Sequence, residues 1–513
     1  MLLLAGPVVM AGSAQAQTPQ IPPPAPYQAV DRNGVNLATG SFLYTTPEIS
    51  VGPKGQGGLS YTATYDTGVN DWRHSVAGMV SYAPFLGPGP LVPWYTVTIQ
   101  GASAVYRRTS AGEFRLIDGA GTLAGTTNNY TYTAQDGSIA VFNAGVTYSP
   151  YVANGGLIST LTRPNGEVLT YTYTAIAMPN GQQARRLQSV TNTYGYQLHF
   201  EYGANVWSTD WYRLTKVVAL NNAVDACAPT ANNCTFSQTW PSLTFTRTPT
   251  ERTVTDSLGR VTRLLFPGGW LSGIRLPTLA TGQNITLTRD LTGEKTASVS
   301  DGAGTWAYDY GAPPSVLPPF YTTTTAINGP GLSDSSVEIT WTQPDISSSQ
   351  RINRITSAAN GEGETTDYAY DSAFHLAWID HPEGDRDRWY YNAWGDVARL
   401  ERIAKPGSGL AAIDLHAAYS SSCPVDPALC GRPISTTDAR GGVTNYTYDA
   451  AGNLLTQTGP APTPGAPRPQ TRYVWAQRYA WYKRNGAAAI TQAASPVWVQ
   501  VSQSQCLTGA TCE

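Results

Sequence analysis

The stretch NYTYDAAGNL, residues 445–454, decides how the whole chain reads. Tyr446 and Tyr448 lie two apart. On an extended backbone both rings fall on one face and Thr447 falls on the other. Asp449 follows at once, and an aspartate carboxylate bonds nearby backbone N–H groups in a turn. Gly452 supplies a position open to positive φ. These ten residues describe a strand running into a tight turn. Counting outward from them tells whether they are one hairpin or one copy of a unit.

The frame begins at Gly441, which puts Tyr446 at +5, Tyr448 at +7, Asp449 at +8 and Gly452 at +11. Gly363 gives Tyr368, Tyr370 and Asp371, and Gly384 gives Trp389, Tyr391, Asn392 and Gly395. Gly282 gives Leu287, Arg289, Asp290 and Gly293. Gly259 gives Leu264 and Phe266, Gly195 gives Phe200 and Tyr202, and Gly166 gives Tyr171 and Tyr173. Position +5 is apolar or aromatic in all seven copies and +7 is aromatic in six, so the pattern is a repeat. Eight residues before the anchor stands Ile158, Leu187, Ile274, Ile355 or Leu376, while Gly441 has Ile434 at seven and Gly259 has Glu251. The successive anchors Gly363 and Gly384, and likewise Gly259 and Gly282, set the unit at about 21 residues, at the short end of known repeat periods.

Each unit reads as two short strands around a Gly-containing turn. One hairpin cannot bury its aromatic face alone, whereas stacked hairpins can. The expected fold is therefore all-β, an array of hairpins stabilised by neighbour contacts. Frequent Thr, Tyr, Val and Gly, with 50 Gly and 37 Pro, favour pleated strands and tight turns over helices. Four segments are expected: 1–16 a signal peptide, 17–30 a Pro-rich linker, 31–150 a β region with degenerate repeats, and 151–513 the repeat array.

The export reading rests on MLLLAGPVVMAGSAQAQ (1–17), an apolar run followed by Ala14-Gln15-Ala16, which fits an A-x-A cleavage site. No Lys or Arg precedes Arg32, so the start reads as lying inside a longer signal; a plain apolar N-terminus is the rival reading. No later apolar run is long enough for a spanning helix, which argues against a membrane span. The six cysteines form three close pairs, Cys227/Cys234, Cys423/Cys430 and Cys506/Cys512, each around a short loop that folds its ends together. Local disulfides are expected, each stabilising by about 2–3 kcal/mol in the chain-entropy model. Zinc is the rival, but no CxxC occurs and only five His are scattered along the chain.

The T-x-Y-x-Y-D-x-x-G-x-L run from Thr444 to Leu454, its weaker copies and DRNGVNLATGSF (31–42) resemble the Rhs/YD-repeat proteins. The resemblance covers about residues 31–513. Members include bacterial polymorphic toxins, the B and C components of Tc insecticidal toxins, and animal teneurins. It implies hairpins wound into a spiral, shell-like sheet, which in the toxins encloses a cytotoxic C-terminal domain and in teneurins serves adhesion. The D-P-x-G core signature that closes the toxin shells has no match, since Asp426-Pro427 lacks the glycine. An incomplete array is expected, with any effector encoded downstream.

No catalytic constellation stands out: there is no G-x-S-x-G, H-E-x-x-H or P-loop. The polar run Asp380 to Arg388 includes His381, Asp385 and Asp387, but it occupies a repeat turn, where charges are ordinarily solvated. A hydrolase built from paired carboxylates stays open, as nothing selects a pair among the Asp and Glu residues. No cofactor or metal is expected. A net charge of −3 with no basic cluster argues against nucleic acid. The expected function is a secreted, non-enzymatic scaffold that encloses or displays a C-terminal effector. The alternative is a surface adhesin that binds a glycan or a protein through exposed aromatics.

Overall fold

Among the described residues from Gly78 to Cys506 the chain is built of strands joined by turns, and every strand pairing is antiparallel. The computed structural model describes residues 30–506 apart from 56, 84–93, 110, 127–128, 145–154, 312–319, 331–335, 345–353, 360–362, 372–374, 422 and 424–425. The expected signal peptide, residues 17–29 of the Pro-rich linker and Cys512 lie outside the described residues. Among the described residues there is no α-helix, only single 3-10 turns at Pro427–Leu429 and Arg484–Gly486. Thirty-two strands form one sheet that does not close into a barrel. Near its start the sheet branches. Gly155–Thr162 pairs with Val168–Ala177 through its second half and with Gly78–Ala83 through its first, Leu157 facing Met79.

One irregularity recurs at a fixed place. A β-bulge falls just before position +7 in six of the seven frames: at Thr172/Tyr173, Glu201/Tyr202, Thr288/Arg289, Ala369/Tyr370, Tyr390/Tyr391 and Thr447/Tyr448. A bulge leaves one residue unpaired, bends its strand and increases local twist. Repeated once per unit on the same side, it curves the sheet progressively.

The bulge gives the two aromatics different roles. Position +5 is the core residue: Tyr446 is 5% exposed, Trp389 7%, Phe200 1% and Leu264 0%. At position +7 the tyrosines of three frames are half-buried and use their hydroxyls. Tyr448 donates to the Pro433 carbonyl at 2.8 Å, Tyr391 to Leu376 at 2.8 Å, and Tyr202 to Leu187. Each acceptor lies eight residues before the anchor glycine. For the Gly441 copy that place is therefore held by Pro433, not Ile434. Ile434 is 45% exposed, because the one-residue shift turns its side chain to the opposite face.

The core face of the first half of the sheet is covered by the N-terminal segment. Leu43–Thr45, Ala63–Asp66 and Asp71–His74 form a small sheet, and Ile49–Val51 pairs with Leu59–Tyr61. Tyr61 packs edge-on against Phe200 at 5.6 Å between ring centroids, and Tyr65 against Phe266 at 5.7 Å. Polar ties pin the segment along its length. Tyr308 Oη donates to Asp31 at 2.6 Å, Thr325 Oγ1 to the Leu37 carbonyl at 2.7 Å, and Asn192 Nδ2 to the Gly57 carbonyl at 3.0 Å. DRNGVNLATGSF is thus a core segment, with Val35, Leu37 and Phe42 packed among Leu264, Trp306 and Tyr308.

Two substitutions separate backbone strain from crowding at the repeat turns. Gly441 (φ +79°) faces open space, so Gly441→Ala is expected to cost about 1–2 kcal/mol for the left-handed conformation alone. Gly452 (φ +75°) would put a Cβ 2.0 Å from the Ala428 carbonyl oxygen, so Gly452→Ala should cost about 1–3 kcal/mol more. Tyr448→Phe should cost about 1 kcal/mol by leaving the Pro433 carbonyl without its donor. Urea midpoints of the three variants check the order; equal losses for the two alanines would contradict it.

Candidate functional site

The turns at one edge of the sheet meet turns at the opposite edge far along the chain. Gln135 Nε2 donates to the Gly395 carbonyl at 2.8 Å and to Asp396 at 2.9 Å. His375 Nε2 bonds the Gly119 carbonyl at 3.2 Å, and Lys483 Nζ the Val224 carbonyl at 2.8 Å. These pairs are 256 to 261 residues apart, and the remaining seam contacts extend to 333 residues, so one winding of the sheet takes about 260 to 330 residues. Backbone joins the seam too: Lys483 N–H donates to the Asn222 carbonyl at 3.0 Å and Trp498 N–H to Asn165 at 2.8 Å. Glycine is required where windings touch. A Cβ on Gly137 would sit 2.3 Å from the Pro427 carbonyl oxygen, and one on Gly431 2.5 Å from that of Gln135.

The repeat residues sit where this geometry needs them. Asp449 Oδ1 accepts from Ala451 N–H and Asn453 N–H, both at 2.9 Å. Asn392 plays the same part for Trp394 and Asp396. Asp371 accepts from His375 N–H at 2.9 Å and faces its Nδ1 at 3.0 Å, while the His375 ring stacks on Tyr391. Tyr368 packs at the margin of the cluster around Trp306, and Tyr370 pairs with Leu376 after the bulge. Gly363 and Gly384 hold φ of +81° and +88°, turning the chain between strands. Asp449 and Asn392 spend a side-chain oxygen on turn amides, and Asp371 divides its carboxylate between a turn amide and the His375 ring.

Disulfides join Cys227 to Cys234 and Cys423 to Cys430, and Cys506 is also disulfide-bonded. The first lies against His199, whose Nδ1 is 3.4 Å from Cys227 Sγ. The three ligand atoms lie within 4.8 Å of one another, but both sulfurs are bonded and neither offers a thiolate to a metal. The second disulfide closes the loop that carries Pro427 and runs into Gly431, so it braces the seam. Of the charged run, Arg386 forks onto Asp380, and His381 lies 3.9 Å from Asp387, an arrangement of turn-edge ion pairs.

A cleft of about 840 Å³ opens where the N-terminal hairpin around Asn70 meets the turns at 209–215 and 246–252. Trp72, Phe245 and Phe266 form its apolar wall. Arg252 is 5% exposed and sandwiched between Tyr65 and Phe266, its Cζ 4.7 Å from each ring centre. Its Nη1 donates to the Asn70 carbonyl at 2.9 Å, and burial, reinforced by the nearby charge of Arg247, lowers its pKa from the usual value. This cleft had no signal in the sequence, since its parts come from four separated segments. The seam was equally hidden.

Residues 431–463 match the family model of the RHS repeat. That stretch of the chain carries an RHS repeat. That match covers NYTYDAAGNL and its flanking turns. Among curated proteins no relative matches. Among solved structures the chain is similar to the Photorhabdus luminescens Tc holotoxin pore with the mutation TccC3-D651A, at 13% identity and a TM-score of 0.34, covering 82% of this chain and 26% of that one. It is also similar to TcdB2-TccC3, at 12% identity and a TM-score of 0.35, covering 88% and 28%. The chain spans about a quarter of the length of those chains. No helix among the described residues is long and apolar enough to cross a membrane.

Burial holds the pKa of His199 down to about 4, from 6.5. The folded protein therefore keeps this imidazole neutral down to about pH 4, while the unfolded chain takes up the proton near 6.5. The stability tied to His199 is full above pH 6.5 and falls as pH drops towards 4, at up to about 1.4 kcal/mol per pH unit. Urea midpoints at pH 7 and pH 5 should show a smaller acid loss in His199→Gln than in the parent. An identical loss would remove His199 as the cause.

Proposed function

We propose that this chain is part of an exported, non-enzymatic scaffold whose wound sheet encloses or displays a C-terminal effector. The observation that carries this reading is the seam. A ribbon whose edge stacks on its own next winding makes a continuous wall, and a wall suits enclosure better than catalysis. The core face supports it as well. Over the first winding that face is filled by the N-terminal segment, in one extended buried cluster that runs from Ile49 to Val254. Over the second winding the buried clusters among the described residues are small groups around Trp389 and Tyr446, so less of the protein's own chain covers that face. In this reading residues 1–16 address the chain for export, 17–30 link it to the wall, 31–150 cover and start it, and 151–513 extend it. The disulfides suit an oxidising compartment.

A second reading is favoured by one observation, the cleft. An aromatic- and arginine-lined pocket at the sheet edge suits a surface protein that binds a glycan or another partner.

Limited proteolysis of the full gene product that contains this chain tests the first reading. A C-terminal effector segment should resist protease while the wall is folded and be digested once urea and reductant open it. A C-terminal segment cut equally fast in the folded and the opened protein would refute enclosure.

A further inference from the structure

We propose that the cleft between Trp72 and Arg247 binds an acidic sugar, a carboxylate-bearing saccharide of one to three rings. This bears on the surface-binding reading and stands apart from the effector reading, so either can fail alone.

The charges that face the cleft decide its preference. Arg213 is paired with Asp210 at 3.0 Å, which removes both from the balance. Arg252 and Arg247 remain, set against Asp71 alone. Arg252 bonds the carbonyl and side-chain amide of Asn70 beside the Tyr65 hydroxyl, none of them charged. No carboxylate among the described residues lies within ion-pair distance of it. Arg247 is exposed, and its guanidinium has no hydrogen-bond or ion-pair partner among the described residues. Two guanidiniums outside any ion pair, one of them fixed between two rings, form a receptor for one carboxylate; guanidinium geometry matches that group bidentately.

The remaining wall specifies what carries the carboxylate. Trp72 is half-buried, held edge-on by Tyr65 at 5.4 Å and by Phe245 at 5.3 Å, so its position is fixed before any ligand arrives. An indole beside polar groups suits the apolar face of a sugar ring. The Asp71 carboxylate, which accepts from Trp72 N–H at 2.8 Å, has a second oxygen to take a ring hydroxyl. His74, on the cleft floor, has its pKa lowered to about 4 by burial and adds no charge at neutral pH. A volume of about 840 Å³ lies within the range of small-molecule pockets and accommodates a short oligosaccharide. The site is pre-formed, since Asn70 holds its hairpin tip at φ +55° by accepting from Tyr65 Oη and Arg252 together.

Titration calorimetry of the full chain with digalacturonate, maltose and sodium sulfate tests this. Digalacturonate should bind at least tenfold tighter than maltose or sulfate, and added salt should weaken it. Arg247→Ala, at the exposed end of the strand Ser242–Arg247, should weaken digalacturonate at least tenfold with an unchanged melting temperature. Absence of digalacturonate binding, equal binding of maltose, or an unaffected Arg247→Ala would overturn the proposal. Sulfate binding as tightly as the disaccharide would reduce the cleft to a plain anion site and overturn the sugar assignment.

Discussion

The structure depends on a bulge that recurs at the same step of six of the seven repeat frames and on the tyrosines that lock it. A flat antiparallel sheet of this length would present two open edges and no reason to turn. Here six of the seven frames insert one unpaired residue before position +7, and in the frames of Gly441, Gly384 and Gly195 the tyrosine hydroxyl there fastens to a carbonyl on the preceding strand. Tyr448, Tyr391 and Tyr202 make the same bond at the same offset. Outside the seven frames, Tyr419 and Trp475 follow bulges too, and bond Val397 and Leu454 in a like manner. Curvature is thereby written once per unit, and its accumulation over one winding brings one edge round to meet the other.

Two further layers depend on that curvature. Inside, the N-terminal hairpins fill the concave face of the first winding, and rings such as Tyr61, Tyr65 and Phe42 contribute about 1.5–3 kcal/mol each through burial. At the edge, the turns of one winding cap those of the next. Edge strands are a liability when their backbone groups are open, and stacking windings covers part of that edge. The disulfide from Cys423 to Cys430 stabilises a loop that lies in this contact, and glycines at 137 and 431 let backbones approach closely.

Much of the repeat was legible from spacing alone. The period-two placement of Tyr446 and Tyr448, the turn aspartate Asp449 and the anchor glycines are local features, and local features leave local patterns. The bulge was not legible: a Tyr-x-Tyr spacing reads as plain alternation, which places both rings on one face alike. Their division into a core ring and a hydroxyl hook needed the register. Reading Ile434 as the upstream apolar residue failed for the same reason, since one step along a strand exchanges faces and Pro433 holds the structural place. The seam and the cleft left no pattern at all. Gln135 and Gly395, or Asn70 and Arg252, meet only because accumulated curvature brings them together, and no short window contains both.

The sheet winds back on itself, so that turns as far apart in sequence as Gln135 and Gly395 become neighbours. Pulsed electron–electron spectroscopy between spin labels at positions 136 and 393 tests it most directly, because Gln135 and Gly395 are hydrogen-bonded across the seam. The wound sheet places labels at these neighbouring residues within about 30 Å. Nineteen strand spacings separate the two turns along the sheet, so an unwound array would hold them about 90 Å apart. A distribution centred below about 30 Å is the expected result, and one centred beyond about 60 Å would contradict the account.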